Sequence, residues 1–310
     1  MNEFELIGRL TRSLATNQAV TVGAGDDCAV LDVGLGDRLL LFKTDAIVEG
    51  IHFVSETPPE KIGHKALARC LSDVAAMSGS PLAALVTIAL QQDYDPKRVE
   101  AIYSGLNALA RKHQVAIVGG ETTTNPERML LSVALLGSVA RGKALLRSGA
   151  EVGDAILVTG ELGGALAGKH LDFHPRLEQA QWLAQHFSIH AMIDLSDGLA
   201  GDLRHVLKAS RVGAELLATA IPVSAEARRA AKVSAAAKPP LLGALTDGED
   251  FELLFTVASR DTVPLLDEWK KKFPDLRLSC IGKITAREGL TIKDRQGVRP
   301  LAEHGYVHLP

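Results

Sequence analysis

The longest near-continuous apolar runs in this chain, Ala83–Leu90 and Met129–Leu136, limit its fold more than any other feature. A helix needs about 20 apolar residues to cross a bilayer, so neither run spans one. Both have the length of a strand buried in a sheet. Shorter runs at Leu39–Phe42, Val115–Val118, Ala155–Val158 and Glu252–Val257 read as further strands. Amphipathic stretches lie between them. Pro58 and Pro59 open a helix that runs to about Met77 and stops at Gly79, because Pro suits the first helical turn and Gly the position beyond the last. Pro96–Lys112 and Gly198–Lys208 read as helices, and Ala225–Ala237 as a surface helix closed by Pro239 and Pro240. This alternation predicts an α/β (α+β) chain. At 310 residues it has the length of about two domains. The Gly- and charge-rich stretch Arg141–Asp154 divides it, near 1–146 and 147–310.

Charge narrows the partners. With 34 Lys and Arg against 37 Asp and Glu, net −3, no basic surplus exists to neutralise a phosphate backbone, so nucleic acid is not an expected partner. The acidic start MNEFELIGRL lacks the basic-then-apolar layout of a signal peptide, and no membrane association is expected. Cys28, Cys70 and Cys280 are odd in number and match no metal-pair spacing, which points to a reducing, cytoplasmic setting.

One familiar nucleotide motif fails on inspection. Residues 137–143 follow most of the phosphate-loop pattern, but Ala144 stands where Ser or Thr would bind Mg²⁺. Gly149 and Gly153 then come too soon for the helix whose N-terminus holds the phosphates. A strand-end turn is the simpler reading. Gly160–Gly168 reads as a strand-to-helix turn.

The unusual feature is a series of acids beside Gly and small residues: Asp26 and Asp27, Asp45 after Lys43 and Thr44, Asp73, Glu121 after Gly120, Asp194 and Asp197 around Ser196, and Asp247, Glu249 and Asp250. Several adjoin apolar runs, which sets them at strand termini, where ligands gather in α/β proteins. Mg²⁺ prefers oxygen ligands and relieves the repulsion between convergent carboxylates. Each acid also has a plain structural reading. Asp-Gly pairs favour turns, Ser196 or Asp197 can cap the following helix, and Asp73 can form a surface ion pair with Arg69. His52, beside Phe53, reads equally as a packing residue.

The ordered set of motifs resembles the thiamine-monophosphate kinase family, of the superfamily that includes aminoimidazole ribonucleotide synthetase and selenophosphate synthetase. It comprises GDDCAVLD at 25–32, KTDAIVEGIHF at 43–53, LSDVAAMSGSP at 71–81, VGGETT at 118–123, AMIDLSDGLAGDL at 191–203 and DGEDFELLF at 247–255. The resemblance implies two α/β domains, the first binding ATP and Mg²⁺ and forming a homodimer through its sheet, the second completing the nucleotide and substrate site. It implies transfer of the ATP γ-phosphoryl group to thiamine monophosphate, with several Mg²⁺ ions and no general base among the side chains. By the same resemblance Asp27, Thr44, Asp45, Asp73, Glu121, Asp194 and Asp197 fall on metal ligands. Tyr103, Gly120, Arg147 and Ser196 fall on ATP contacts, and His52, Glu249 and Tyr306 on contacts to thiamine. Asp45 would be the central ligand, with a hydroxyl or carbonyl oxygen of Thr44 on the same ion.

Four positions depart from the family pattern. Lys43 replaces a small hydroxyl residue, Cys70 an Asn, Glu121 an Asp or Asn, and Asp247 a Gly. A cation at Lys43 can stand in for one metal or touch a phosphate. Two other readings stay open: another ATP-using member of the superfamily, and a non-catalytic nucleotide- or metal-binding relative. Against a selenophosphate synthetase, nothing before Cys28 resembles the reactive Cys or selenocysteine in its Gly-rich arm.

Overall fold

The computed structural model describes residues 3–233, 238–302 and 305–306. The chain falls into two units. The amino-terminal unit comprises Ala19–Ala144 and Gly168–Glu178. The carboxy-terminal unit comprises the described residues of Met1–Gln18, Leu145–Ala167 and Gln179–Pro310. Between Ala144 and Leu145 the chain passes from one unit to the other, beside the sequence-based boundary at 146. Residues up to Gln18 and the segment Gly168–Glu178 depart from that simple division.

A short helix α1 (Glu3–Leu10) precedes the amino-terminal unit. That unit is a six-stranded sheet of β1 (Val20–Val22), β2 (Ala29–Leu31), β3 (Arg38–Val48), β4 (Ser80–Leu90), β5 (Ala116–Thr124) and β6 (Leu130–Ala140), ordered β1-β2-β3-β6-β4-β5. Only β4 and β5 run parallel. Helices α2 (Pro59–Ala76) and α3 (Pro96–Lys112) accompany it, and α2 packs on β3, β4 and β6. Alternation along the strands sorts the side chains. Leu39, Leu41, Ile47, Leu131, Val133, Leu135, Val86 and Ile88 are buried, whereas Phe42, Leu82, Leu85 and Val118 are exposed. Where α2 meets α3 the backbones touch. A Cβ on Gly63 would lie 1.8 Å from the Ile102 carbonyl oxygen, and one on Gly105 would lie 1.9 Å from that of Glu60. The segment Gly168–Glu178 is held by Lys61, His64 and Lys65, neighbours on α2. Lys61 pairs with Asp172 at 2.7 Å, His64 Nε2 meets the Phe173 carbonyl at 2.8 Å, and Lys65 Nζ lies 2.7 Å from His170 Nδ1.

The carboxy-terminal unit is a seven-stranded sheet: β7 (Ala155–Thr159), β8 (Ile189–Asp194), β9 (Gly213–Leu217), β10 (Leu253–Val257), β11 (Leu278–Thr285), β12 (Gly289–Asp294) and β13 (Gly297–Pro300), in the order β13-β12-β9-β11-β7-β10-β8. Its helices are α4 (Leu177–His186), whose first residues belong to the other unit, α5 (Leu199–Ser210), α6 (Ala225–Val233), α7 (Pro240–Thr246) and α8 (Thr262–Lys272). Leu199, Leu203, Val206 and Leu207 of α5 pack into one core with Ile156, Val158, Ile193 and Leu254. Trp182, Trp269 and Phe273 join α4 to α8 by edge-to-face and tilted contacts.

Two local expectations change. Residues 137–140 lie inside β6, so no phosphate loop forms there. The glycines after β7 lead not into an α-helix but into two 3₁₀ turns, Ala165–Ala167 and Lys169–Leu171, since only three residues separate the positive-φ Gly164 and Gly168 and leave no room for an α-helical run. Residues 234–237, the expected end of α6, lie outside the described residues.

Candidate functional site

In the amino-terminal unit the acids collect where α2 crosses β3. Strand residues two apart share a face about 6.8 Å apart, and helix residues four apart share one at about 6 Å. The spacings match, so Lys43 and Asp45 of β3 meet Asp73 and Arg69 of α2, cation against anion. Lys43 Nζ lies 2.9 Å from Asp73 Oδ1. Arg69 donates from Nε to Asp45 Oδ2 at 3.0 Å and from Nη2 to Oδ1 at 3.3 Å. Asp27 is buried, and one carboxylate oxygen of it lies within 4.8 Å of one of Asp73. Burial works against the charge on Lys43, but Asp73 and Asp45 outweigh it and raise its pKa. Burial pushes the thiol of Cys28 up, helped by Asp73 and Asp27, and that of Cys70 up, helped by Asp45 and Asp73. Cys70 Sγ donates to the Val133 carbonyl at 3.4 Å, so in place of the family's Asn it serves as a small packing residue under the sheet.

Several sequence expectations need correction here. Asp45 does not follow a strand but sits inside one, because β3 pairs with β6 continuously from Arg38–Ala140 to Val48–Leu130. The polar run Lys43-Thr44-Asp45 concealed that continuation. Thr44 consequently faces the opposite side from Asp45, with its Oγ1 3.4 Å from Ser132 Oγ, and its hydroxyl cannot join an ion held by the Asp45 side chain. Asp73 is buried, not part of a surface pair. Glu121 also lies inside a strand, exposed on β5. Asp45, Val133, Val86 and Gly120 stand in register across four strands, about 14 Å from first to last, so Glu121 and Asp45 cannot share one ion. Gly120 itself admits no side chain, since a Cβ would stand 1.8 Å from the Val86 carbonyl oxygen. Tyr103 is half-buried on α3, which raises its phenol pKa. His52 Nδ1 accepts from the Val48 N–H at 3.0 Å, and its carbonyl accepts from buried Lys65 at 2.7 Å. The first bond fixes the imidazole with its proton on Nε2.

In the carboxy-terminal unit two turns are laced together. Residues 194–198 leave β8 and enter α5; residues 247–252 lead into β10. Glu249 N–H donates to the Ser196 carbonyl at 2.7 Å, Phe251 N–H to Leu195 at 2.8 Å, and Leu195 N–H to Glu252 at 2.8 Å. Gly248 fits because a Cβ there would come 2.8 Å from the Ser196 oxygen. Tyr306 N–H donates to the Asp197 carbonyl at 2.8 Å. Asp194, Ser196, Asp197, Glu249 and Tyr306 thus share one backbone frame. Glu249 and Phe251 hold φ of 59° and 50°, a left-handed conformation costly for residues with a Cβ. The other acids of the second turn are structural. Asp250 accepts the Gly163 N–H on both oxygens at 3.0 Å, Glu252 accepts from Thr159 Oγ1 at 2.8 Å, and Asp247 accepts from Gly164 at 3.2 Å while pairing with Lys238 at 2.9 Å. That dual role accounts for Asp at 247 in place of Gly.

Sequence reasoning missed Asp202. Its buried Oδ2 accepts the N–H groups of Asp197 and Gly198, both at 3.0 Å, and so shapes the turn. An acid in the first turn of a predicted helix was the available signal. Burial raises its pKa, Asp197 and Asp194 raise it further, and Arg147 opposes them. The same Arg147, with Lys208, adds to burial in holding His205 down to about 4. Arg147 is therefore close enough to be felt by the acids of this turn.

Residues 25–139 match AIR synthase related protein, N-terminal domain, and 151–295 match its C-terminal domain. The thiamine-monophosphate kinase of Rhodopirellula baltica is 42% identical over 278 residues, 87% of this chain and 85% of that protein. That of Escherichia coli K12 is 36% identical over 99% of this chain and 98% of its own length. Among solved structures, AaThiL complexed with AMPPCP and TMP superposes with a TM-score of 0.83 at 29% identity, covering 99% of this chain and 97% of that one. With both domain matches spanning most of its length and relatives this similar throughout, the chain belongs to the thiamine-monophosphate kinase family of AIR synthase related proteins.

Proposed function

We propose that this chain transfers the γ-phosphoryl group of ATP directly to the phosphate of thiamine monophosphate, giving ADP and thiamine diphosphate. The observation that carries the reading is the laced pair of turns, which offers Ser196, Asp197, Glu249 and Tyr306 from one frame with Glu249 in a strained conformation. Strain of this kind persists where the surroundings enforce it, and it clusters at ligand sites. The names of the relatives and the AMPPCP and TMP of the similar complex agree with it.

The chemistry suits the residue types. A phosphate monoester has a second pKa near 6 and is largely dianionic at neutral pH, so it needs no strong base to attack. Charge is the obstacle: two unit charges about 4 Å apart repel by about 1 kcal/mol in bulk water and by more in a cleft. Mg²⁺, when bound, would neutralise phosphate charge. The donor sets fit a hard cation, being all oxygen: Asp27, buried and with an oxygen within 4.8 Å of one of the Lys43-paired Asp73, in one unit, and Asp194 and Asp197 in the other. Burial first, and then the charges of Asp197 and Asp194, raise the pKa of Asp202, and a cation would relieve the second of these. Asp45, still held by Arg69, would offer a remaining carboxylate lone pair to an ion, and exposed Glu121 would hold a separate one. Arg147 supplies a charged donor to phosphate, with Tyr103, Gly120 and Ser196 lining the nucleotide. Glu249 attracts the cationic ring system of thiamine, Tyr306 stacks on it, and His52 completes its recognition. Several ions, rather than one, belong to this reading.

Homodimerisation belongs to it as well. Phe42, Leu82, Leu85 and Val118 leave large apolar side chains exposed on one sheet, and such patches mark interaction surfaces. A cytoplasmic setting is the remaining part, supported by the wide spacing and odd number of Cys28, Cys70 and Cys280. Among the described residues no helix is long and apolar enough to cross a membrane.

A single-turnover reaction with γ-labelled ATP, thiamine monophosphate and Mg²⁺ tests the activity. Label should appear in thiamine diphosphate and only when the acceptor is present. Nucleotide binding without transfer would favour a non-catalytic relative.

A further inference from the structure

We propose that the ammonium of Lys43 is a resident cation that takes the place of one divalent ion at Asp73. The inference rests on reading these acids as a nucleotide–metal site and specifies how many ions that site holds. Three observations converge on it. Lys43 Nζ stands 2.9 Å from Asp73 Oδ1, and the two side chains are only 23% and 9% exposed, so the pair is enclosed. The pairing is built into the fold, because Lys43 shares its strand face with Asp45 while Asp73 shares its helix face with Arg69, and both cross-pairs form at once. Among the described residues Lys43 donates to Asp73, which leaves two of the three ammonium donors for an incoming oxygen.

A divalent ion entering at Asp73 would have to sit against that ammonium or expel it. Neither is favourable in an enclosed pair, since like charges repel strongly there and an expelled lysine would leave its partner. Asp27, within 4.8 Å of Asp73, keeps its place for an ion. The uncommitted donors of Lys43 can then receive an oxygen of a nucleotide phosphate, and a point charge of this kind is a common phosphate partner. An ammonium fixed to the backbone needs no recruitment from solution, whereas an ion does.

The test is to count manganese ions bound per chain, by electron paramagnetic resonance, in the full-length protein with AMPPCP. Lys43→Thr should bind one more ion than wild type, Lys43→Met likewise, and Lys43→Arg the wild-type number. Asp73→Asn should leave the number unchanged. Equal non-zero counts in wild type, Lys43→Thr and Lys43→Met would overturn the inference, as would loss of one ion in Asp73→Asn. Circular dichroism identifies any variant that fails to fold, and the Asp73→Asn count decides by itself if the lysine variants do. No bound manganese in wild type or any variant would overturn the nucleotide–metal reading beneath it, an outcome distinct from equal counts.

Discussion

Glu249 pays for its position. Its left-handed backbone costs about 1–2 kcal/mol relative to a residue at ease there, and glycine is at ease there. Glu249→Gly should therefore raise the melting temperature while raising KM for thiamine monophosphate and leaving KM for ATP nearly unchanged. A fall in melting temperature would show that the side chain is structural. His205 carries a pH signature. Its folded pKa of about 4 lies below the ordinary 6.5, so the unfolded chain takes up a proton in this window and the folded chain does not. The contribution of His205 to stability is complete above about pH 6.5 and is lost towards pH 4, by up to about 3 kcal/mol at 1.36 kcal/mol per unit. Urea titrations at pH 4.5 and 7 should show a smaller difference in His205→Gln than in wild type. Asp45→Asn tests the metal reading: it should lower kcat by about 10²–10³ and shrink the Mg²⁺-dependent rise in melting temperature. Because Arg69 loses charge from its partner, the metal-free melting temperature should fall as well.

Among elements, the crossing of α2 and α3 is the most exacting. Ala is normally favoured over Gly inside a helix by about 1 kcal/mol. At Gly105 that preference loses, because the added methyl would lie 1.9 Å from a backbone oxygen that cannot swing away. Gly105→Ala should destabilise by about 2 kcal/mol or more in urea unfolding, within the range for overpacking; a stabilised variant would mean that the helices separate freely. The elements also show what could be read in advance. Pro96–Lys112 was legible to the residue because Pro opened it and basic residues closed it. The last turns of β3 were not, since Lys43, Thr44 and Asp45 break an apolar run that backbone pairing nevertheless continues. Pro240 looked like the end of one helix and proved to be the first residue of α7, a position Pro suits equally. The site acids were legible as a set through their order along the chain. Arg69 and Asp202 were not, because their roles depend on which strand or turn a helix faces.

At the scale of the whole molecule, the exposed residues of the amino-terminal sheet give the dimer proposal its test. Leu85→Glu would set a charge within an apolar patch and, in a two-fold pair, set it near its own copy. Sedimentation should show wild type as a dimer and Leu85→Glu as a monomer at the same concentration; an unchanged mass would move the interface elsewhere. The grouping of Gly168–Glu178 with the amino-terminal unit has a separate consequence, for synthesis. A ribosome delivers residues in order, and N-terminal parts of a protein generally begin folding while the rest is still being made. Here the anchors on α2 emerge long before Asp172, Phe173 and His170 do, and β7 must be translated in between. The nascent amino-terminal unit therefore waits, unfinished, for a piece of chain that lies beyond the first strand of its neighbour, and a transcript cut at residue 146 encodes a unit that never receives it.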